Sequence, residues 1–211
     1  MKRGALALLL VAWAVRGHEP ITTKLTWTRE ISRIVYQRCA ACHREGGLAP
    51  MSLLSYEEAR PWAKAIRDEV LERKMPPWGP VKGFGIFRED ASLSEVEIDW
   101  LVNWVEGGAP KGEEIYLPPL PGPRPAPADP PAAKGLPVAG ERVIDRAMTV
   151  VGIEPAGPVR LTAMRPDGSI EPLLWLRDRR PHQPKVYYFR NPIRLSRGAR
   201  LRAEGSAVVI R

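Results

Sequence analysis

Cysteine is nearly absent from this chain, with two in 211 residues. Two thiols cannot build the several bridges that staple small secreted scaffolds. Nor can they supply a four-thiolate zinc site. Histidine is almost as sparse: there are three, and only His182 follows residue 43. Long hydrophobic runs are missing too. The apolar stretch from Gly4 to Val15 is shorter than the roughly 20 residues needed to cross a bilayer as a helix. No internal repeat is present, which excludes solenoid and propeller architectures.

That apolar stretch follows Lys2 and Arg3 and gives way to small and polar residues, the layout of a secretory signal peptide over residues 1–17. Cleavage fits after Ala14 or, preferably, after Gly17; an uncleaved membrane anchor is the alternative. No cysteine follows the run, so a lipoprotein anchor is not expected. The reading is an exported or periplasmic protein. The formal net charge of +8 is unevenly spread: residues 18–116 sum to −3 and residues 138–211 to +7. A basic C-terminal region suits an acidic protein or an anionic surface. Nucleic acid is not an expected partner of an exported chain.

The two cysteines fall together in Cys39-Ala40-Ala41-Cys42-His43. A Cys-x-x-Cys-His run is the attachment signature of c-type haem. Two thiols three positions apart sit on nearly one face of a helical turn, so both can form thioethers to one porphyrin edge. The adjacent imidazole then lies beneath the iron as a ligand. A thioredoxin-like dithiol is disfavoured because no βαβ pattern surrounds the motif. A zinc site lacks its second pair of thiols. A disulfide here would close almost no loop and stabilise little.

Residues 117–137 contain nine prolines and are expected to form a semi-rigid, polyproline-rich linker. It separates a helical region, residues 18–116, from a strand region, residues 138–211. In the first, Thr28 can cap a helix with Ile31, Ile34 and Val35 on one face. Ser55 with Glu58 and Ser94 with Glu97 read as capping boxes. Pro61 marks a restart, and Trp62, Ile66, Val70 and Leu71 continue an apolar stripe. Ile98, Leu101, Val102 and Val105 follow the 3.6-residue period over Glu95–Glu106, and Gly107-Gly108 stops that helix. In the second region Met148–Ile153, Val159–Met164, Ile170–Leu176, Val186–Phe189, Arg200–Ala203 and Ala207–Ile210 are rich in β-formers, with a turn at Pro166-Asp167-Gly168. The expected fold is multidomain, α then β: a small all-α cytochrome c domain followed by a small antiparallel β-sandwich-like module.

The order of a helix, Cys-x-x-Cys-His, a Gly/Pro loop, a helix, a Met-Pro loop and a last helix resembles class I c-type cytochromes. That resemblance implies that Met75, in Met75-Pro76-Pro77-Trp78, closes the sixth iron position opposite His43. A thioether is a soft, neutral ligand that favours ferrous iron. Met51 is the rival, but it would have to cross to the other porphyrin face within a short loop, and it fits better as packing. Met148 and Met164 read as strand core, and His18 and His182 as lone, structural or solvent-facing histidines. Trp62, Trp78, Trp100 and Trp104 read as packing residues that could line a haem pocket, Trp78 nearest.

Five stretches together resemble a monohaem domain of large exported bacterial proteins: Arg38-Cys-Ala-Ala-Cys-His43, Ala49-Pro-Met-Ser-Leu53, Tyr56-Glu-Glu-Ala-Arg-Pro-Trp-Ala-Lys64, Arg73-Lys-Met-Pro-Pro-Trp78 and Trp104-Val-Glu-Gly-Gly-Ala-Pro-Lys-Gly112. In that family such a domain often precedes a sandwich similar to those of copper type II, ascorbate-dependent monooxygenases. Residues 159–168 and 192–201 faintly resemble parts of it. Those copper sites use several histidines, which this chain lacks, so no copper is expected and the second region reads as a binding or docking module.

The expected activity is single-electron transfer through one covalent haem c held by Cys39, Cys42, His43 and Met75, with redox proteins as partners. On this reading the chain is an electron carrier rather than an enzyme. The alternatives are an electron-input subunit of a larger oxidoreductase, or an enzyme or gas sensor with an open sixth position. One Cys-x-x-Cys-His run argues against a dihaem peroxidase.

Overall fold

The computed structural model describes residues 23–122 and 135–211. The expected signal segment, His18 and residues 123–134 of the proline-rich stretch lie outside the described residues.

The helices begin where short polar side chains can satisfy free amides. Thr26, rather than Thr28, takes the first cap, its hydroxyl accepting from the Arg29 amide at 3.3 Å. It opens a π-helical turn, Trp27–Ile31, that runs straight into α1, Ser32–Arg38. Thr28 is fully buried inside that turn. Ser55 and Glu58 form the expected capping box of α2, Tyr56–Ala59. Pro61 lies in the 3₁₀ turn Arg60–Trp62 that leads into α3, Ala63–Leu71. Ser94 and Glu97 form the second capping box, at the start of α4, Glu95–Glu106.

Trp27, Ile31, Ile34 and Val35 pack with Val70, Ile98, Leu101 and Trp104 in one apolar cluster. The turn after α4 ties these helices together through its carbonyls. Pro110 accepts from the Trp27 amide and from the Trp104 indole, each at 3.0 Å. Ala109 accepts from the Tyr56 hydroxyl at 3.0 Å, and Lys111 from the Thr28 amide at 3.0 Å. Gly108, at φ 88°, and Ala109, at φ 53°, provide the left-handed reversal this turn needs.

Five antiparallel strands follow: β1 Gly135–Val143, β2 Met148–Met164, β3 Ile170–Leu176, β4 Tyr187–Leu195 and β5 Arg200–Ile210. They form one sheet in the order β1-β5-β2-β3, with β4 also paired to β2. β2 is the axis. Its first half pairs with β4, its second half with β3, and β5 runs along its other edge. The two expected strands Met148–Ile153 and Val159–Met164 are therefore one strand, with a register irregularity between Pro155 and Val159. Arg200–Ala203 and Ala207–Ile210 are likewise one. β1 starts inside the stretch expected to be linker.

The expectation of a small all-α cytochrome c domain followed by a β-sandwich-like module is overturned. More of the described residues lie in strands than in helices, the helices are short, and the strands make one antiparallel sheet rather than two facing ones. The helices also do not form a self-contained all-α domain, because the chain between α3 and α4 is built into the sheet. Val81 donates to the Trp175 carbonyl at 2.8 Å and Gly85 to the Pro172 carbonyl at 3.1 Å, both on β3. Arg88 then donates to Tyr188 at 2.9 Å, and Arg190 to Ile86 at 2.7 Å, both on β4. Residues 80–88 thus run along two strand edges, and their β-character is hidden in the sequence by Gly83 and Gly85.

Phe87 is buried in the strand cluster, stacked on Phe189 at 5.3 Å and 5.6 Å from Tyr187. Its ring joins the strand core through Tyr187 and Phe189, 100 and 102 positions away. Phe87→Ala is expected to cost about 3–5 kcal/mol in denaturant unfolding of the full chain. Ile86→Ala, at an exposed neighbouring position, is expected to cost under about 0.5 kcal/mol. Equal effects of the two would mean that the segment is not held in the core.

Candidate haem site

α1 delivers the two cysteines. The amides of Cys39 and Ala40 both donate to the Val35 carbonyl, at 2.8 and 2.9 Å, and end the helix. The amides of Cys42 and His43 then donate to the Cys39 carbonyl, at 3.1 and 2.9 Å. Residues 39–43 therefore make one further tight turn with both thiols and the imidazole on it. The chain folds back over this turn: Ala49 donates to the Cys42 carbonyl at 3.1 Å and Leu53 to the His43 carbonyl at 3.1 Å. Gly47 is required there, since a Cβ at that position would lie 2.2 Å from the Cys42 oxygen.

His43 is half-buried, and its Nδ1 lies 3.3 Å from the Met51 carbonyl. With Nδ1 as donor, the proton is fixed on that nitrogen and the Nε2 lone pair is left for a metal. Burial pushes the imidazole pKa below its ordinary value, with the Met51 contact opposing, so the ring is favoured in the neutral form that ligation needs. Met51 therefore serves His43 through its backbone, while its side chain packs against the helical cluster.

Both thiols are free and half-buried. Burial, then Cys42 and then Glu97, push the Cys39 thiol up to about 12. A dithiol that works by nucleophilic exchange needs the opposite, a lowered thiol pKa. Among the described residues no group of three or more His, Cys, Asp or Glu is placed to hold a metal ion. A porphyrin brings four nitrogens of its own and asks the protein for one or two ligands. A pair of free thiols on the turn that carries an oriented, neutral histidine fits that demand. When bound, haem c would supply a one-electron iron couple, with Cys39 and Cys42 holding the porphyrin and His43 the metal.

The turn is anchored to α4 through Arg38. Its Nε and Nη2 grip the two Glu97 oxygens at 2.9 and 3.3 Å, and Nη1 donates to the Asp90 carbonyl at 3.1 Å. Burial pushes the Glu97 carboxyl up. Its bonds from Arg38 and Ser94 more than offset that, so the net shift is downward. Sequence reading gave neither residue a site role; a charged residue directly before the first cysteine was the available signal.

Met75 follows α3, its peptide bond to Pro76 is cis, and the residue is 42% exposed. It lines a cleft of about 630 Å³ together with Trp78, with Leu93 and Ile98 from the helical side, and with Arg177 and Arg180 from the chain after β3. Cys39, Cys42 and His43 are not among the residues lining this cleft. The structure brings Cys39, Cys42 and His43 together on one turn, while Met75 lines a cleft to which those three do not contribute. Trp78 turns toward the sheet, packing edge-on to Tyr187 at 5.3 Å. Trp104 is buried against Trp27, while Trp62 and Trp100 are partly exposed.

Comparison with family models, curated proteins and solved structures finds no match. No helix among the described residues is long and apolar enough to cross a membrane.

The Arg38–Glu97 grip has a defined pH dependence. Because the folded carboxyl titrates below its unfolded value, its stabilisation is fully present above the ordinary glutamate range, and it is lost as pH falls through the folded value. Arg38→Met is expected to lower unfolding free energy by about 2 kcal/mol at pH 7. The gap to the parent chain should narrow as the pH falls through and below the ordinary glutamate range. Denaturant melts across that range check this, and a gap that does not vary with pH would rule it out.

Proposed function

We propose that this chain is an exported electron carrier holding one haem c through thioethers from Cys39 and Cys42, with His43 as iron ligand and Met75 as the second ligand. The observation that carries the reading is the turn itself: two free thiols and an imidazole whose Nδ1 is committed to the Met51 carbonyl. Arg38, Glu97 and the Leu53 and Ala49 amides keep that turn rigid, so the histidine is oriented before any metal arrives. Rigid ligands suit electron transfer, in which the site moves little between oxidation states. The resemblance to monohaem domains of exported bacterial proteins supports the same assignment. The arginine excess after residue 138 offers acidic redox partners or an anionic surface a place to meet the protein.

The protein matured with haem supply should keep its haem after denaturation, with a mass one haem above the polypeptide. Replacing Cys39 and Cys42 together by Ala should make the haem extractable into acidified organic solvent. Haem that already extracts from the parent protein would refute covalent attachment.

A second reading rests on the cleft. Met75 is partly exposed and lies on a surface that the Cys-His turn does not line. An iron ligated by His43 alone would leave its sixth position open, as an enzyme or gas sensor requires. Carbon monoxide separates the two: slow or no binding to the reduced protein supports Met75 ligation, and rapid binding supports an open site.

A further inference from the structure

The segment that presents Met75 is held at both ends by the strand region. At its start, α3 gives way through Arg73, a non-glycine residue at φ 56°. The amides of Lys74 and Met75 then turn back to the Glu69 carbonyl, at 2.9 and 3.2 Å. The Arg73 carbonyl accepts from Nη1 of Arg180 at 3.2 Å, across 107 positions of sequence. Arg180 is itself oriented by Asp178, whose carboxylate lies 2.5 Å from its Nε.

At the other end, Pro80 bridges to Leu176 and Val81 donates to Trp175. Gly79 is seated so closely that a Cβ would come 2.3 Å from Leu176 and 2.6 Å from the Gln183 amide nitrogen. The downstream clamp is therefore a strand edge and is rigid. The strand region's contribution to the upstream clamp is one charge-assisted hydrogen bond, two residues before Met75, beside the two backbone bonds to Glu69.

We propose that Arg180 is a positioning residue for Met75: by pinning the Arg73 carbonyl it sets how the thioether is presented, so that the strand region tunes an iron site carried by the helical region. The proposal rests on the assignment of Met75 as second iron ligand. A thioether is neutral and weakly basic, so its bond to iron competes poorly with the freedom of an unpinned loop. Holding the loop beforehand removes that competition. The guanidinium does not touch the iron site itself. Its action passes through the backbone of residues 73–75, which separates it from a general stabilising ion pair.

The test uses full-length, haem-loaded protein and compares Arg180→Met, Arg180→Lys and Met75→Ala. Arg180→Met keeps the apolar stem and removes every donor. It is expected to keep the haem attached while weakening the long-wavelength charge-transfer band of an iron–thioether bond. Carbon monoxide should bind its reduced form faster by about tenfold, the factor one charge-assisted hydrogen bond corresponds to. Arg180→Lys, which still donates, should restore most of the band. An unchanged band and unchanged carbon monoxide binding in Arg180→Met would overturn the proposal, provided Met75→Ala abolishes the band. A band that survives in Met75→Ala would instead overturn the Met75 assignment. Should Arg180→Met fail to mature, Asp178→Asn, which loosens Arg180 without removing it, takes its place, and an unchanged band there counts equally against the proposal.

Discussion

Residues 80–88 occupy strand edges on β3 and β4, and that placement ties the connection between α3 and α4 to the sheet. An open strand edge leaves amides and carbonyls without partners. Here the edge of β3 is covered by the chain's own connection between α3 and α4, which also delivers Phe87 and Trp78 into the strand cluster. A strand region of about 75 residues has little apolar surface to bury by itself, and these two rings enlarge its core. The same connection carries Met75 at its start and leads to α4 at its end.

The Cys-His turn depends on a different set of contacts, all within the helical region. Val35, Cys39, Cys42 and His43 exchange backbone hydrogen bonds in sequence order, so the turn is a continuation of α1. Long-range order comes from the bidentate grip of Arg38 on Glu97, which also stands in the capping box of α4. One carboxylate thus satisfies a helix terminus and fixes the residue preceding Cys39. The helical turn, the Met51 carbonyl and the α4 cap act together to orient three side chains that the local sequence only brings near one another.

Several elements were legible in the sequence because their causes are local. Ser55–Glu58 and Ser94–Glu97 predicted two helix starts, since a capping box needs only residues three apart. Ile98 and Leu101 turned inward on α4 as the helical period requires, whereas Val102 and Val105 of the same expected set are only partly buried and Trp104, outside it, is fully buried. Thr28 illustrates a limit: as a possible cap it is equivalent to Thr26, and the buried contacts of the π-helical turn decided between them. The division into an all-α domain and a sandwich failed for a further reason. Gly83 and Gly85 interrupt any strand pattern in residues 80–88, and only available edges on β3 and β4 give that backbone partners.

By itself, the sequence determined two of the helix starts, most of the strand-forming stretches and the spacing of Cys39, Cys42 and His43, because each follows from residues within one or two turns. Tertiary structure decided that β2 runs unbroken from Met148 to Met164, that the α3–α4 connection joins the sheet, and that Met51 offers His43 its carbonyl. It also decided that Met75 lies in a cleft walled partly by Arg177 and Arg180. Those outcomes depend on which distant edges and donors remain unsatisfied once the chain has collapsed, and no local pattern encodes that.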